Sequence, residues 1–327
     1  MTDPIRWGIL ATGWIAELFV ADLQQHGHKV AAVGSRTEER AASFAKRFGI
    51  PKAHGSYEAL VADDNVDVVY VATPHPMHAD NAKLALNAGK HVLIEKPFTL
   101  NAREAREVVE LATEKRLVVL EAMWTRFLPH MIRIREIVAT GTLGQLRSMT
   151  ADHTQDLPDD PKHRLNAPEL GGGALLDLGI YPVSFTWDIF GAPKTIQASA
   201  LFKSTGVDAQ IATIFGYASG AAALTLSASD TAGPNRANIL GTAGRIEIDS
   251  TWYIPTSFRV YDNTGNVIES FSSSVTGRGM QFQAVEMERL VGAQLLAGDI
   301  LPPSESVAIM ECLDSIRTQI GLRYPGE

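Results

Sequence analysis

The sequence contains little that would indicate a secreted, membrane-bound or nucleic-acid-binding protein. It has one cysteine, Cys312, so no disulfide can form within the chain, and we expect this thiol to be a small core residue. No apolar stretch approaches the roughly 20 residues that span a bilayer, and no basic leader precedes the first apolar run. Acidic residues outnumber basic ones by 37 to 29, and the net charge of −8 argues against binding to a phosphate backbone. We therefore expect a cytoplasmic protein that binds neither nucleic acid nor membrane.

The remaining composition is that of a folded protein with a large core. Hydrophobic residues make up 45% of the 327 positions and charged residues 20%, which is the balance of a globular domain. A chain of this length exceeds what one hydrophobic core usually organises. We predict two domains, 1–122 and 123–327.

The first domain alternates short apolar runs with helical patterns. The predicted strands are Ile5–Ala11, Val30–Gly34, Val66–Thr73, Val92–Glu95 and Val118–Glu121, and the predicted helices are Trp14–Gln25, Glu38–Phe48, Tyr57–Val61, Met77–Ala88 and Ala102–Lys115. Strands that alternate with helices indicate a doubly wound parallel sheet in an α/β domain. Because the runs are continuously apolar, we expect these strands to be buried on both faces.

The second domain has longer strand patterns separated by turn residues. The predicted strands are Leu146–His153, Thr195–Phe202, Ala209–Tyr217, Ala221–Ala228, Ala237–Leu240, Arg245–Ile248, Ser257–Tyr261 and Val267–Phe271, and the predicted helices are Leu128–Ala139, Leu175–Phe190, Phe282–Leu296 and Ser304–Leu322. This pattern predicts an α+β domain with a large, mostly antiparallel, open-faced sheet. Ile211, Ile214, Leu224 and Leu226 are candidates for an apolar open face, so we expect a homodimer or larger homo-oligomer assembled through this sheet.

A dinucleotide-binding motif that lacks its first glycine follows the first predicted strand. The run Ala11-Thr12-Gly13-Trp14-Ile15-Ala16 is compared with G-x-G-x-x-G/A, which opens the first helix of a Rossmann-type sheet. Gly13 fits the position where backbone approaches a pyrophosphate. Alanine replaces the first glycine, and an L-alanine fits the tight turn only if its φ stays negative. The alternative is an ordinary strand–helix turn with one glycine.

The end of the second strand predicts which dinucleotide is bound. An acidic residue at this point binds the ribose 2′-hydroxyl of NAD, but the chain continues Gly34-Ser35-Arg36-Thr37 with no acid. Arg36 can pair with a 2′-phosphate and stack on adenine, with Ser35 and Thr37 as further donors. This favours NADP, with NAD as the second choice. A simpler interpretation is that Thr37 caps a helix and Arg36 is solvated, and it is compatible with cofactor binding.

Two further strands end in polar residues that face the ligand-binding edge of such a sheet. Thr73 and Pro74 precede His75 and His78, whose rings can donate to a ribose or a substrate, although His78 can also simply start a helix. Glu95-Lys96-Pro97 ends the next strand, and Pro97 biases Lys96 toward an extended backbone. Taken alone, Lys96 reads equally well as a surface lysine.

A glycine-rich run in the second domain precedes two candidate acid–base residues. Gly171–Gly173 precede a helical pattern in which Asp177 and Tyr181 are four positions apart and would share a face. An amphipathic helix with a polar side is the alternative. Pro182 would bend a helix at this point, because it cannot donate a backbone hydrogen bond.

Taken together, these motifs resemble the glucose–fructose oxidoreductase/inositol dehydrogenase (GFO/IDH/MocA) superfamily of two-domain NAD(P)-dependent oxidoreductases. The resemblance rests on AxGxxA, EKP, GGGALLDLGIYP and the run Gly241–Ile246, and covers essentially the whole chain. Glu121–Pro129 and Arg164-Leu165 are similar to the trans-dihydrodiol dehydrogenase/D-xylose dehydrogenase branch.

The resemblance implies residue roles and a reaction. The implied catalytic residues are Lys96, Tyr181 and Asp177; the implied cofactor-binding residues are Ala11, Thr12, Gly13, Trp14, Ile15, Ser35, Arg36, Thr37, Thr73, Pro74, His78, Glu95 and Lys96; the implied substrate-binding residues are Trp124, Arg126, Phe127, Arg164 and Asp177. A hydride would pass between nicotinamide and a carbinol or carbonyl carbon of a sugar, polyol or dihydrodiol. The Lys96–Pro97 bond would be cis.

The sequence leaves open which residue carries the proton and whether the chain is an enzyme at all. Tyr181 would exchange the proton, with a pKa lowered by the Lys96 ammonium, or Lys96 would carry the proton itself. A non-catalytic NADP(H)-binding sensor on the same fold is a second hypothesis. A metal-dependent enzyme using His153, Asp156 and His163 is disfavoured because these residues lack ligand spacing, and we expect no metal.

Overall fold

The computed structural model describes residues 4–327 and divides them into two compact units. The first comprises Met1–Trp124, as far as it is described, and Thr276–Met310; the second comprises Thr125–Val275 and Glu311–Glu327. The first unit therefore includes a segment from far along the chain. Independent folding of 1–122 and 123–327 stays a prediction.

The first unit contains the expected parallel sheet. Its strands are β1 (Arg6–Leu10), β2 (Lys29–Gly34), β3 (Lys52–His54), β4 (Val68–Val71), β5 (His91–Glu95) and β6 (Val119–Ala122), with helices α1 (Trp14–Gln25), α2 (Glu38–Phe48), α3 (Tyr57–Val61), α4 (His78–Asn87) and α5 (Ala102–Lys115). The strand order is β3-β2-β1-β4-β5-β6, and every neighbouring pair is parallel. The chain reverses direction across the sheet between β1 and β4, the switch point at which such sheets bind ligands. The prediction missed β3, which is short and partly polar.

Side-chain caps explain where several of these helices begin. Thr37 accepts a hydrogen bond from the amide of Arg40 at 3.4 Å, which confirms it as the cap of α2. Ser56 accepts from Ala59 at the start of α3, and Asn101 accepts from Glu104 at the start of α5. Each such cap satisfies one amide that the helix leaves unpaired, a contribution of about 1 kcal/mol.

The second unit contains the expected large sheet. Its strands are β7 (Leu146–Thr154), β8 (Thr195–Phe202), β9 (Asp208–Gly216), β10 (Ala222–Ala228), β11 (Ala237–Gly241), β12 (Gly244–Ile248), β13 (Phe258–Asp262) and β14 (Val267–Phe271); the remaining helices of the chain are α6 (Pro129–Ala139), α7 (Ile180–Phe190), α8 (Gln281–Ala293) and α9 (Pro303–Ile320). The order is β14-β13-β12-β11-β7-β10-β9-β8, and β10 with β7 is the one parallel neighbouring pair in this sheet of the described chain.

The two faces of this sheet differ in exposure. Ile211 is buried on one face, whereas Ile214, Leu224 and Leu226 on the other face are 44–47% exposed. The sheet is therefore open-faced, as predicted, and carries apolar side chains on its open side.

Cys312 is buried, and its burial raises the pKa of the thiol to about 12, in keeping with a core residue. Within residues 4–327, no helix combines the length and apolarity needed to cross a bilayer.

Candidate active site

The first strand–helix turn has an unusual backbone conformation at Ala11. Its φ is +92°, in the region that favours glycine, so the condition under which an alanine fits this turn without strain is not met. The cause is a backbone hydrogen bond: the Ala11 amide donates to the carbonyl of Gly34 at the end of β2, at 3.0 Å. This bond sets the direction of the turn regardless of the side chain, and the alanine is strained as a result.

Beyond this turn, the N-terminus of α1 is open. Gly13 precedes the helix with an extended backbone and has no side-chain cap. A Cβ added at Gly13 would meet no atom within 4 Å. Unpaired amides and the positive end of the helix dipole make such a terminus a binding site for phosphate. Trp14 is 64% exposed beside it, and Ile15 is half-buried.

The end of β2 presents positive charge. Ser35 is buried, while Arg36 and Arg40 are exposed. Both guanidinium groups lie close enough to Tyr57 to affect its phenol: burial raises the Tyr57 pKa, and the two positive charges act against that rise. Two arginines and a half-buried phenol therefore lie near one another at the end of β2.

The loops after β4 and β5 are joined by a buried histidine. His78 is fully buried; its Nδ1 lies 2.8 Å from the carbonyl oxygen of Pro97 and its Nε2 lies 2.8 Å from that of Thr73. Burial, and less strongly the charge of Lys96, lowers the His78 pKa to about 4, so the ring is neutral at pH 7 and donates to one carbonyl. This burial favours a role in holding the two loops, and direct contact of His78 with a cofactor stays a prediction.

Glu95 and Lys96 end β5 at the same edge of the sheet. Glu95 is buried; it accepts a hydrogen bond from the Tyr70 hydroxyl, and its other oxygen accepts from the Lys96 amide at 3.2 Å. Lys96 is half-buried. The Lys96–Pro97 bond is cis, as the resemblance implies.

In the second unit, the three glycines form a turn that other side chains could not occupy. A Cβ at Gly172 would lie 2.8 Å from the Leu165 backbone, and one at Gly173, where φ is +118°, would collide with the carboxylate of Asp208. Asp208 is fully buried and accepts from the amide of Leu175 at 2.6 Å. The Tyr324 hydroxyl donates to the Gly172 carbonyl at 2.7 Å. The turn is thus held from two sides.

The predicted carboxylate and phenol follow this turn. Asp177 lies in a π-helical turn, Leu175–Gly179, which leads directly into α7 and Tyr181. The predicted continuous helix is therefore wider over its first turn, a feature that often marks functional sites. Arg164 donates to Asp177 at 3.2 Å, so the structure brings these two predicted substrate residues together.

Tyr181 belongs to an aromatic cluster that was not predicted. His153 packs edge-on against Tyr181, with ring centroids 4.8 Å apart, and stacks on Tyr253 at 3.7 Å. Gln155 contacts the Nε2 of His153 at 2.8 Å. From the sequence, His153 was considered only in the disfavoured metal-dependent hypothesis, and nothing local indicated Tyr253. Among residues 4–327, no three histidine, cysteine or acidic side chains are grouped to hold a metal ion.

The other three predicted substrate residues are buried. Trp124 and Phe127 are at most 3% exposed. Arg126 is also buried; it pairs with Asp188 at 3.3 Å and donates to the Ser184 carbonyl at 2.9 Å. This pairing favours a structural role for Arg126, and its contact with substrate stays a prediction.

Comparison with known proteins assigns the family. Residues 5–123 match the oxidoreductase family with an NAD-binding Rossmann fold, and residues 131–247 match the GFO/IDH/MocA C-terminal domain. A trans-1,2-dihydrobenzene-1,2-diol dehydrogenase of Mus musculus is 38% identical over 331 residues, covering 98% of each chain. The chain belongs to the GFO/IDH/MocA oxidoreductase family.

Two further proteins are similar to this chain over nearly its whole length. The D-xylose 1-dehydrogenase (NADP(+)) of Hypocrea jecorina is 36% identical and covers 98% of this chain, and the match covers 93% of that enzyme. A 3-ketoreductase from Actinomadura kijaniata, crystallised with NADP and TDP-benzene, is 25% identical with a TM-score of 0.85, over 97% of this chain and 98% of that one.

Replacing Ala11 with glycine should stabilise this GFO/IDH/MocA protein. Glycine adopts φ near +92° without the penalty that alanine incurs, and we expect a gain of about 1 kcal/mol and a rise in Tm of roughly 1–3 °C. Differential scanning calorimetry measures this. Ala16→Gly, in the buried part of α1, is the matched control and should lower Tm. An unchanged or lower Tm for Ala11→Gly would contradict strain at this turn.

Proposed function

We propose that this chain is an NADP(H)-dependent dehydrogenase or reductase that acts on a CH–OH group of a sugar, polyol or trans-dihydrodiol. The observation that carries the proposal is the open N-terminus of α1 behind Gly13, at the switch point of a parallel sheet. The names of the relatives support the substrate class, since they are a trans-dihydrodiol dehydrogenase, a D-xylose 1-dehydrogenase and a 3-ketoreductase.

The residues of the first unit fit such a cofactor. The open amides of α1 suit a diphosphate, and the positive charge of Arg36 and Arg40 suits a 2′-phosphate. Glu95 and Lys96 lie at the same edge of the sheet, after β5. The bound cofactor would donate or accept the hydride, while the chain binds, orients and handles the proton.

Tyr181 is proposed as the group that exchanges a proton with the substrate oxygen. A phenol has an ordinary pKa near ~10, so it needs a nearby positive charge to work at neutral pH. Lys96 is proposed to supply that charge. Asp177, held by Arg164, is proposed to accept a hydrogen bond from a substrate hydroxyl, because carboxylates bind vicinal diols well through charge-assisted bonds.

The reaction is tested by absorbance at 340 nm. The full-length protein is mixed with NADP⁺ and a panel of aldoses, polyols and trans-dihydrodiols, and in the reverse direction with NADPH and the matching carbonyl compounds. Turnover of at least one class supports the proposal. Tight NADP(H) binding with no turnover across the panel would instead favour a sensor.

The Tyr181→Phe variant should lose at least about 100-fold in kcat while its Kd for NADP⁺ changes less than about twofold, because the phenol acts in the proton transfer alone. Steady-state kinetics and fluorescence titration measure the two quantities. Tyr217→Phe, a buried tyrosine of the same unit that stacks on Phe190, is the matched control.

Near-normal turnover of Tyr181→Phe would remove the phenol from the chemistry. If Lys96→Met then abolished turnover, Lys96 would be the direct proton carrier.

The Arg36→Ala variant should bind NADP⁺ roughly 10–100-fold more weakly and NAD⁺ equally well, because a charge-assisted bond to phosphate contributes about 1.5–3 kcal/mol. Arg47→Ala, an exposed arginine of α2 paired with Glu17, is the control. Isothermal titration with both cofactors measures the effect, and an unchanged NADP⁺ affinity would refute the role of Arg36.

We also propose that a second copy of the chain covers the open face of the eight-stranded sheet. Ile214, Leu224 and Leu226 lie on a groove of 790 Å³ on this face, which Arg236 and Asn238 help to line. Exposed apolar side chains clustered on one sheet face mark a surface that a partner covers, and a second copy of the chain would present the same apolar patch across a two-fold axis.

Light scattering at micromolar concentration should therefore give at least twice the chain mass of 35.4 kDa. The double variant Leu224→Glu, Leu226→Glu should shift the protein toward the monomer, since it places charge in the contact. Val285→Glu, an equally exposed apolar position on α8, should not. A monomeric wild-type protein would contradict the proposed assembly.

A further inference from the structure

The segment Thr276–Met280, which belongs to the first unit, is fastened to α1. Asp22, buried in the last turn of α1, accepts hydrogen bonds from the backbone amides of Arg278 at 3.1 Å and Met280 at 2.9 Å. Gly277 has a φ of +80°, and a Cβ there would lie 2.5 Å from the Asp22 carboxylate. The backbone on both sides of Arg278 is therefore fixed.

The side chain of Arg278 lies over two indole rings. Its guanidinium carbon is 5.7 Å from the ring centroid of Trp14 and 5.5 Å from that of Trp124. Trp14 is the first residue of α1, and Trp124 follows the end of β6. Rings beside a guanidinium hold it in place by cation–π attraction and leave its N–H edges free to bind an anion in plane.

The guanidinium of Arg278 is not paired with a carboxylate of the described chain, since Asp22 binds the backbone amide and not the side chain. Within residues 4–327, Arg278 forms no ion pair, and its buried Nε has no hydrogen-bond partner. A half-buried guanidinium without a partner is costly. The neighbouring α1 terminus adds the positive end of a helix dipole. An anion bound at this place would accept hydrogen bonds from the guanidinium and interact favourably with the positive end of the α1 dipole.

We propose that Arg278 binds the diphosphate of the dinucleotide and so completes the cofactor site from the return segment. The inference rests on the proposed NADP(H) function, because the diphosphate is the anion that this turn receives in a dinucleotide-binding sheet. Arg36 and Arg40 would then hold the 2′-phosphate, while Arg278 holds the bridge between the two nucleotides.

The test compares ligands with and without a diphosphate on the full-length chain. Arg278→Gln should weaken NADPH and ADP roughly 10–100-fold and leave adenosine 2′-monophosphate within about twofold, because that ligand keeps the 2′-phosphate alone. NADPH binding is followed by its fluorescence, and ADP and adenosine 2′-monophosphate binding by calorimetry. Arg278→Lys keeps the positive charge without the planar guanidinium, so its affinities for NADPH and ADP should lie between those of wild type and Arg278→Gln.

Arg245→Gln is the matched control, because Arg245 also packs on an aromatic ring, that of Tyr261 at 4.2 Å, in the second unit. Arg245→Gln should leave the affinities for NADPH, ADP and adenosine 2′-monophosphate unchanged. The salt dependence of NADPH binding should also be weaker in Arg278→Gln than in wild type, since one phosphate contact is lost.

Three results would overturn the inference: unchanged NADPH and ADP affinities in Arg278→Gln, an equal loss for adenosine 2′-monophosphate, or a change confined to the KM of the sugar. Wild-type protein that binds NADPH through Arg278 but turns over no substrate would leave the inference standing and refute the proposed enzyme. Wild-type protein that binds neither NADPH nor ADP would refute both.

Discussion

Parallel pairing of β1 with β2 on one side and β4 on the other is the constraint on which the first unit depends. Parallel neighbours require a crossover for every strand, so all carboxyl ends meet at one edge and every connecting loop returns there. Gly13, Arg36, Thr73 and Lys96 are far apart in sequence, and this rule alone gathers them. The same pairing brings Gly34 beside Ala11 and imposes the positive φ.

Hydrophobic periodicity was sufficient to predict most of the elements. Trp14–Gln25, Glu38–Phe48 and Ala102–Lys115 match their predictions residue for residue, because each has a long pattern and two of them begin at a side-chain cap. Lys52–His54 was missed because three residues are too few for a period to show. The conformation of Ala11 was missed because the bond that sets it comes from another strand.

The candidate site was predictable in its motifs but not in its contacts. Asp177 and Tyr181 could be proposed from the sequence because the glycine turn before them is a local signal, and their roles stay predictions. The ion pair of Arg126 with Asp188 could not be predicted, because Asp188 lies 62 positions away and no local pattern links the two residues. The contacts of Tyr253 and Arg278 were missed for the same reason, since both residues reach their neighbours through the tertiary fold alone.

The bond from Tyr324 to Gly172 connects the tail of the described chain to the turn that precedes Asp177. Arg317 strengthens the connection, since it pairs with Glu327 and packs over the ring of Tyr324. The position of the Gly172 carbonyl, five residues before Asp177, is therefore set in part by a phenol 152 positions further along the chain. A substitution at Tyr324 would act on the candidate site through this backbone turn, without any contact between Tyr324 and a substrate.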